Sequence, residues 1–270
     1  MRYLKEFYRF IKHLINNRKL IALLAYNDFK EEYLGSYLGI VWALIRPVTF
    51  ILVIWVVFEY GIKPGGSGGS TSIILSLLTG MIPWFFFAEG LTKSCTSIVQ
   101  NSFLVKKVAF SVNILPLISI LSRFIIHILL VLILILIFIL NGYYPSLYWL
   151  QLPYYLFCSV VLLLGLGWLT SALRVFVKDT AEVVGLITQF GFWFTPVFWS
   201  PTIVSERYRF ILDFNPMAYI IQGFRNTFIE HVWFWQNPIQ TIIFLVMMFF
   251  ILFFGAVVFK RLTPHFGDVI

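Results

Sequence analysis

Six stretches of this chain, near Tyr37–Tyr60, Ile73–Val99, Leu115–Leu140, Leu152–Phe176, Val183–Trp199 and Ile239–Phe259, are apolar almost without interruption. About 20 such residues in a helix cross the hydrocarbon core of a bilayer, where only helices and closed barrels satisfy their own backbone polar groups. The expected fold is an all-α integral membrane protein with six transmembrane helices. Composition agrees, since 60% of the residues are hydrophobic and only 12% are charged. The fifth stretch is short and holds Pro196, which predicts a broken or tilted helix there.

Lys and Arg set the expected orientation. Arg2, Lys5, Arg9, Lys12, Arg18, Lys19 and Lys30 precede the first span, Lys106 and Lys107 follow the second, Arg174 and Lys178 the fourth, and Lys260 and Arg261 the sixth. Those four regions share one side, so both termini are expected in the cytoplasm. The net charge of +8 is this topological bias and predicts membrane lipid, not nucleic acid, as the contacted polyanion.

One membrane domain over residues 1–270 follows: an interface helix at 1–33, spans one to five at 34–199, an external segment at 200–238, and span six with a tail at 239–270. Leu4, Phe7, Tyr8, Ile11, Leu14 and Ile15 recur with helical spacing, opposite Arg2, Lys5, Arg9 and Lys12, as in a helix lying in the interface plane. It is either an anchor or a device that meets a substrate at the membrane surface. "GGSGGS", Gly65–Ser70, has the composition of a flexible hairpin loop or of an inserted linker.

Motifs for chemistry are missing from the chain. Cys95 and Cys158 fall in apolar spans, and His13, His127, His231 and His265 are scattered without metal-ligand spacing. No G-x-S-x-G elbow and no G-x-x-x-x-G-K-[ST] phosphate loop occurs. The chain is therefore expected to be no enzyme and to hold no cofactor or metal; energy for uphill transport would come from elsewhere.

Charges inside spans cost a few kcal/mol, so each should face protein, water or an exit to the surface. Gly35, Gly39, Trp42, Arg46 and Phe50 share one helical stripe, expected to face the interior and to border something polar, with Pro47 kinking the span. Arg46 either lines a path or pairs with another helix. Glu89 with Lys93 and Arg123 with His127 are four apart and are expected to be structural pairs. The run "QFGFWFTPVFW" surrounds a short helix with Phe190, Phe192, Trp193, Phe194, Phe198 and Trp199. Two readings stand: an interfacial belt, or a track whose flat rings line the path of a sugar polymer.

Several segments resemble one family, the membrane subunits of type-2 ABC exporters for O-antigen, capsular and teichoic-acid-like polysaccharides. "DFKEEYLGSYLGIVWALIRPV" is similar to that family's first span, "LLTGMIPWFFFAEGL" to its second, and "NSFLVKKVAFSVNILPL" to its ATPase-contacting loop. "FVKDTAEVV", "FTPVFWSPTIVSERYRFILDFNPMAYIIQGFRNTF" and the tail "FKRLTPHFGDVI" resemble its later segments, in order; Ser111, Val112 and Gly267 depart from the usual pattern.

The resemblance implies two copies of this chain with two copies of a separate ATPase that holds ATP and Mg. It implies a lipid-linked polysaccharide, most of all O-antigen, crossing a bacterial inner membrane between the two permeases. Tyr37, Trp42, Arg46, Phe50, Phe190, Trp193, Phe194 and Phe198 would line the channel. Phe103, Leu104, Lys106, Lys107, Phe110, Arg174, Lys178 and Asp179 would couple to the ATPase. Pro196, Arg207, Asp213, Asn215, Pro216 and Arg225 would belong to short re-entrant helices that gate the outer mouth. A drug or small-lipid exporter of this architecture, or an intramembrane enzyme acting on a lipid-linked glycan, are the competing functions; the enzyme would need paired acids or a nucleophile with a base, and neither is visible.

Overall fold

The computed structural model describes residues 17–34, 39, 41–57, 70–105 and 111–269. The interface-helix face from Leu4 to Ile15, together with Tyr37, Lys106, Lys107 and Phe110, lies outside these residues, as do the side chains of Arg46 and Leu104. Among the described residues the chain is helical, without strands. We label α1 Arg18–Leu34, α2 Val41–Val56, α3 Ser70–Gln100, α4 Leu115–Leu140, α5 Leu152–Phe176, α6 Thr180–Phe194, α7 Glu206–Asp213, α8 Pro216–Arg225 and α9 Pro238–Leu262.

Proline sets several helix starts. Pro116, Pro153, Pro216 and Pro238 occupy the first turns of α4, α5, α8 and α9, where a missing N–H costs nothing because that donor has no intrahelical partner. Asn215 caps α8, its side-chain oxygen accepting from the amides of Met217 at 3.0 Å and Ala218 at 3.3 Å.

Among the described residues, four helical segments are long and apolar enough to cross a membrane: Ile73–Gln100, Val112–Leu140, Leu147–Phe176 and Pro238–His265. The first and fifth expected spans correspond to α2 and α6, of 16 and 15 residues, or about 22–24 Å at 1.5 Å per residue. The α6 length is short of the roughly 30 Å hydrocarbon core. The expectation that the fifth helix runs to Trp199 is corrected: α6 stops at Phe194, and Pro196 sits buried in the turn that follows.

The centre of the bundle is α3, whose apolar window is 67% buried, against 33% in α4 and in the last span. It packs on α4, α5, α6 and α8. α5 and α9 cross at two glycines: a Cβ on Gly255 would lie 2.1 Å from the carbonyl oxygen of Gly165, and one on Gly165 would lie 2.7 Å from Leu252 Cα. Backbone meets backbone there, the close approach that small residues permit between membrane helices. Phe176 meets Phe266 at one end of this pair, which we call the basic end after Arg174, Lys260 and Arg261. At the opposite, distal end, the Gln151 side chain donates to Val232 O at 2.9 Å and accepts from Phe234 N at 3.1 Å.

Candidate functional site

Two acids in the charged stretch of α1 are tied to the bundle. Asp28 and Glu32 stand one turn apart and face Lys93 of α3, whose ammonium donates to Asp28, to Glu32 at 2.6 Å and to Ser122 of α4 at 3.3 Å. Arg123 of α4 donates to the second oxygen of Glu32 and to Glu89 at 3.2 Å. A ladder of alternating charge thus joins three helices. It corrects two expectations: Lys93 reaches across to α1 instead of pairing with Glu89 on its own helix, and Arg123 is tied to carboxylates instead of pairing with His127. His127 is buried and stacked on Phe86, ring centroids 4.5 Å apart.

Burial would raise the Glu32 carboxyl, but the hydrogen bond from Lys93 and the charge of Arg123 outweigh it and hold Glu32 below the ordinary carboxylate value. The ladder walls a cleft of about 970 Å³ between α1, α2, α3 and α4, with Trp42, Thr92, Thr96 and Gln100 completing its lining. Trp42 is 43% exposed in it. Of the expected channel stripe, Trp42 therefore faces a polar space.

Phe50, two stripe positions further along, meets Phe192 of α6 at 5.6 Å and Phe85 of α3 at 5.8 Å, placing α2 beside α6. Phe192 is buried against Trp84. The opposite face of α6 is open: Val183, Leu186, Ile187, Phe190, Trp193 and Phe194 are all more than half exposed. Phe198 folds back on Phe192 and Trp193, at 5.6 and 5.1 Å, and is half-buried. The aromatic run thus divides into an inner set that docks α6 and an outer set, Phe190, Trp193 and Phe194, that stays more than half exposed.

The segment beyond α6 is wired to α8. Arg225 donates to Val197 O at 2.8 Å and Trp199 O at 3.3 Å, and Asn215 donates to Thr195 at 2.9 Å. Four residues expected at the outer gate, Pro196, Asn215, Pro216 and Arg225, are thereby brought together. Asp213 accepts from Gln240 of α9 at 3.1 Å, whereas Arg207 is exposed over the Tyr208 ring, 5.9 Å from its centroid. The sequence reading missed Asp28 and Glu32 as partners. Their one-turn spacing, matching that of Glu89 and Lys93 on α3, was the available signal.

Residues 19–229 match the ABC-2 type transporter family. The chain belongs to that family. Among curated relatives, this ABC-2 chain is 25% identical over 252 residues to an O-antigen export system permease protein RfbA of Klebsiella pneumoniae, covering 93% of this chain and 95% of the relative. A second Klebsiella protein of that name is 26% identical over 78% of this chain and 80% of its own length. One from Myxococcus xanthus is 25% identical over 83% and 85%.

In this ABC-2 chain, Phe103, Arg174, Lys178 and Asp179 are the residues expected to couple to the ATPase whose side chains fall among the described residues. Phe103 is 60% exposed in the single helical turn Ser102–Val105, and Lys178 and Asp179 are exposed in the tight connection between α5 and α6. Nε and Nη1 of Arg174 are shut away from solvent without a hydrogen-bond partner among the described residues. A buried guanidinium with unused donors is costly unless a carboxylate or carbonyl completes it.

Proposed function

We propose that this multi-pass membrane protein is the permease subunit of an exporter that moves a lipid-linked polysaccharide, O-antigen in the first place, out through the cytoplasmic membrane. The carrying observation is the similarity to permeases named for O-antigen export along nearly the full chain. Two copies of the chain pair through the open faces of α2 and α6, enclosing a channel lined by Trp42, Arg46, Phe50, Phe190, Trp193 and Phe194. Supporting this reading, Phe190, Trp193 and Phe194 of α6 are more than half exposed on one face of the helix. Flat rings suit the apolar faces of sugars and slide past them without a fixed register.

Both termini lie in the cytoplasm, so the basic end docks a separate ATPase, two copies per transporter. The cleft at Trp42 is the side entrance for the lipid-linked glycan, and the 195–225 segment closes the outer mouth. ATP and Mg belong to the ATPase; this chain supplies the passage.

Deletion of the gene should leave the finished glycan inside the cell on its lipid carrier, and the chain should co-purify with an ABC ATPase. Normal surface glycan in the deletion strain, with altered drug susceptibility, would replace this reading by a drug exporter of the same architecture.

A further inference from the structure

The distal end holds a second cavity, of about 380 Å³, between α7, α8, the 196–202 turn and the start of α9. Its size falls at the lower end of the roughly 300–1,000 Å³ typical of small-molecule sites. One wall is formed by Gln222 and Glu230: the Gln222 amide nitrogen donates to both carboxylate oxygens, at 3.0 and 2.9 Å. Its own Oε1 is shut off from solvent and has no hydrogen-bond partner among the described residues. Asp213 and Gln240 form another side and are bonded to each other at 3.1 Å.

Between these polar walls stand rings. Tyr155, 1% exposed, forms the floor behind the lining, its ring against the bare backbone of Gly223, where a Cβ would come within 2.1 Å of it. Phe234, also in the lining, stacks on Tyr154 with centroids 4.2 Å apart.

The charge of the lining selects the chemistry of a ligand. Arg209 is the cation among the lining residues, against the two carboxylates of Asp213 and Glu230. Arg209 is already turned to Val204 O at 3.2 Å and toward Glu206 at 3.8 Å. A phosphate would meet net negative charge. Planar amides and carboxylates beside aromatic faces match a neutral polyhydroxylated ring, whose neighbouring hydroxyls bond in pairs and whose C–H face stacks.

We propose that this cavity binds one or two sugar residues of the emerging glycan, holding the chain at the distal side. The inference rests on the exporter reading and deepens it. Pro196 lies in the cavity wall two residues beyond the exposed ring of Phe194, which puts the cavity at the end of the chain segment that carries the α6 face. A sugar seated against Gln222 and Gln240 bridges α8 to α9, so occupancy would steady the helices proposed to close the mouth and oppose backward slip.

The test uses the full chain with its ATPase in cells that make the glycan. A photoreactive benzoylphenylalanine replaces Gln240 or Thr202, both exposed on the cavity rim, or Tyr144, exposed at the same end but not in the lining. Covalent capture is read with a glycan-specific antibody. Gln240 and Thr202 probes should capture glycan and Tyr144 should not. Gln222→Leu should reduce capture about tenfold, as expected for one lost partner to a buried polar group. Glu230→Gln keeps the side-chain shape, so it should lower capture even if Gln222→Leu disturbs folding.

Equal capture at Tyr144, or none at Gln240 and Thr202, would overturn the pocket. The exporter reading is checked separately by probes at Trp42 and Phe190 in the same strain: capture there alongside silence at Gln240 and Thr202 removes the cavity and leaves the exporter, whereas silence at all positions with no glycan retained in the deletion strain removes both.

Discussion

Lys93→Met tests whether the charge ladder docks α1 on the bundle. The Lys93 side chain is 15% exposed, and the carboxylates it meets on Asp28 and Glu32 are 30% and 32% exposed. Fully exposed pairs contribute about 0.2–1 kcal/mol, and breaking a fully buried pair costs about 3–5 kcal/mol. This half-screened ladder lies between them, and losing the ammonium should cost about 1–2 kcal/mol, a factor of about 5–30 in the ratio of docked to undocked α1. Spin labels at Leu23 and Leu132, both exposed, would report that ratio as a second, longer distance in pulsed dipolar spectra. Glu32→Gln should act similarly, and the double variant should lose less than the sum of the two singles. Strict additivity would refute the coupling, and an unchanged distance in both singles would show that α1 is held by other contacts.

Acid should loosen the same joint. Because the folded Glu32 carboxyl lies below its ordinary value of 4.5, its contribution is complete above that value and is lost as pH falls through the lower folded one, which the same spin-label pair would follow. Gly255→Val should abolish the folded protein, since even a Cβ would lie 2.1 Å from Gly165 O, whereas Gly185→Ala meets nothing within 4 Å and should leave the yield intact; membrane yield after detergent extraction separates the two. If Gly185→Ala nonetheless halts export, the α6 face packs against a partner. Arg225→Met removes two donors to the 197–199 carbonyls and should cost on the order of 1–3 kcal/mol of local order, read as faster proteolysis after Trp199 with the spans still protected.

Hydropathy made the long helices legible, because burial in lipid and burial in protein both demand apolar side chains over about 20 residues. It read α6 less well: Pro196 marked a break, but only the structure places it in a turn and ends the helix at Phe194. The joints between helices left almost no trace. Arg123 reaches an acid 91 positions away, and Arg225 reaches carbonyl oxygens that every residue type carries. The local pairings expected from four-residue spacing lost to these distant partners, since tertiary packing brings stronger geometry than one helical turn provides. The distal cavity was illegible for a related reason: its lining comes from five separate stretches of chain, none of which forms a recognisable motif alone.

The glycine crossing of α5 and α9 makes those two helices a lever with a fixed fulcrum. Phe176, at the basic end, lies 11 residues from Gly165, about 16 Å at 1.5 Å per residue, and Tyr155, in the distal cavity, lies 10 residues the other way, about 15 Å. With backbones touching at the pivot, there is little slack in which a push can be absorbed. A tilt imposed where Phe176 meets Phe266 therefore returns at Tyr155 with nearly equal amplitude and opposite sense. Ångström-scale work done at one membrane surface would reach the other without any change of helix length, and distance measurements from labels flanking each arm should move in antiphase.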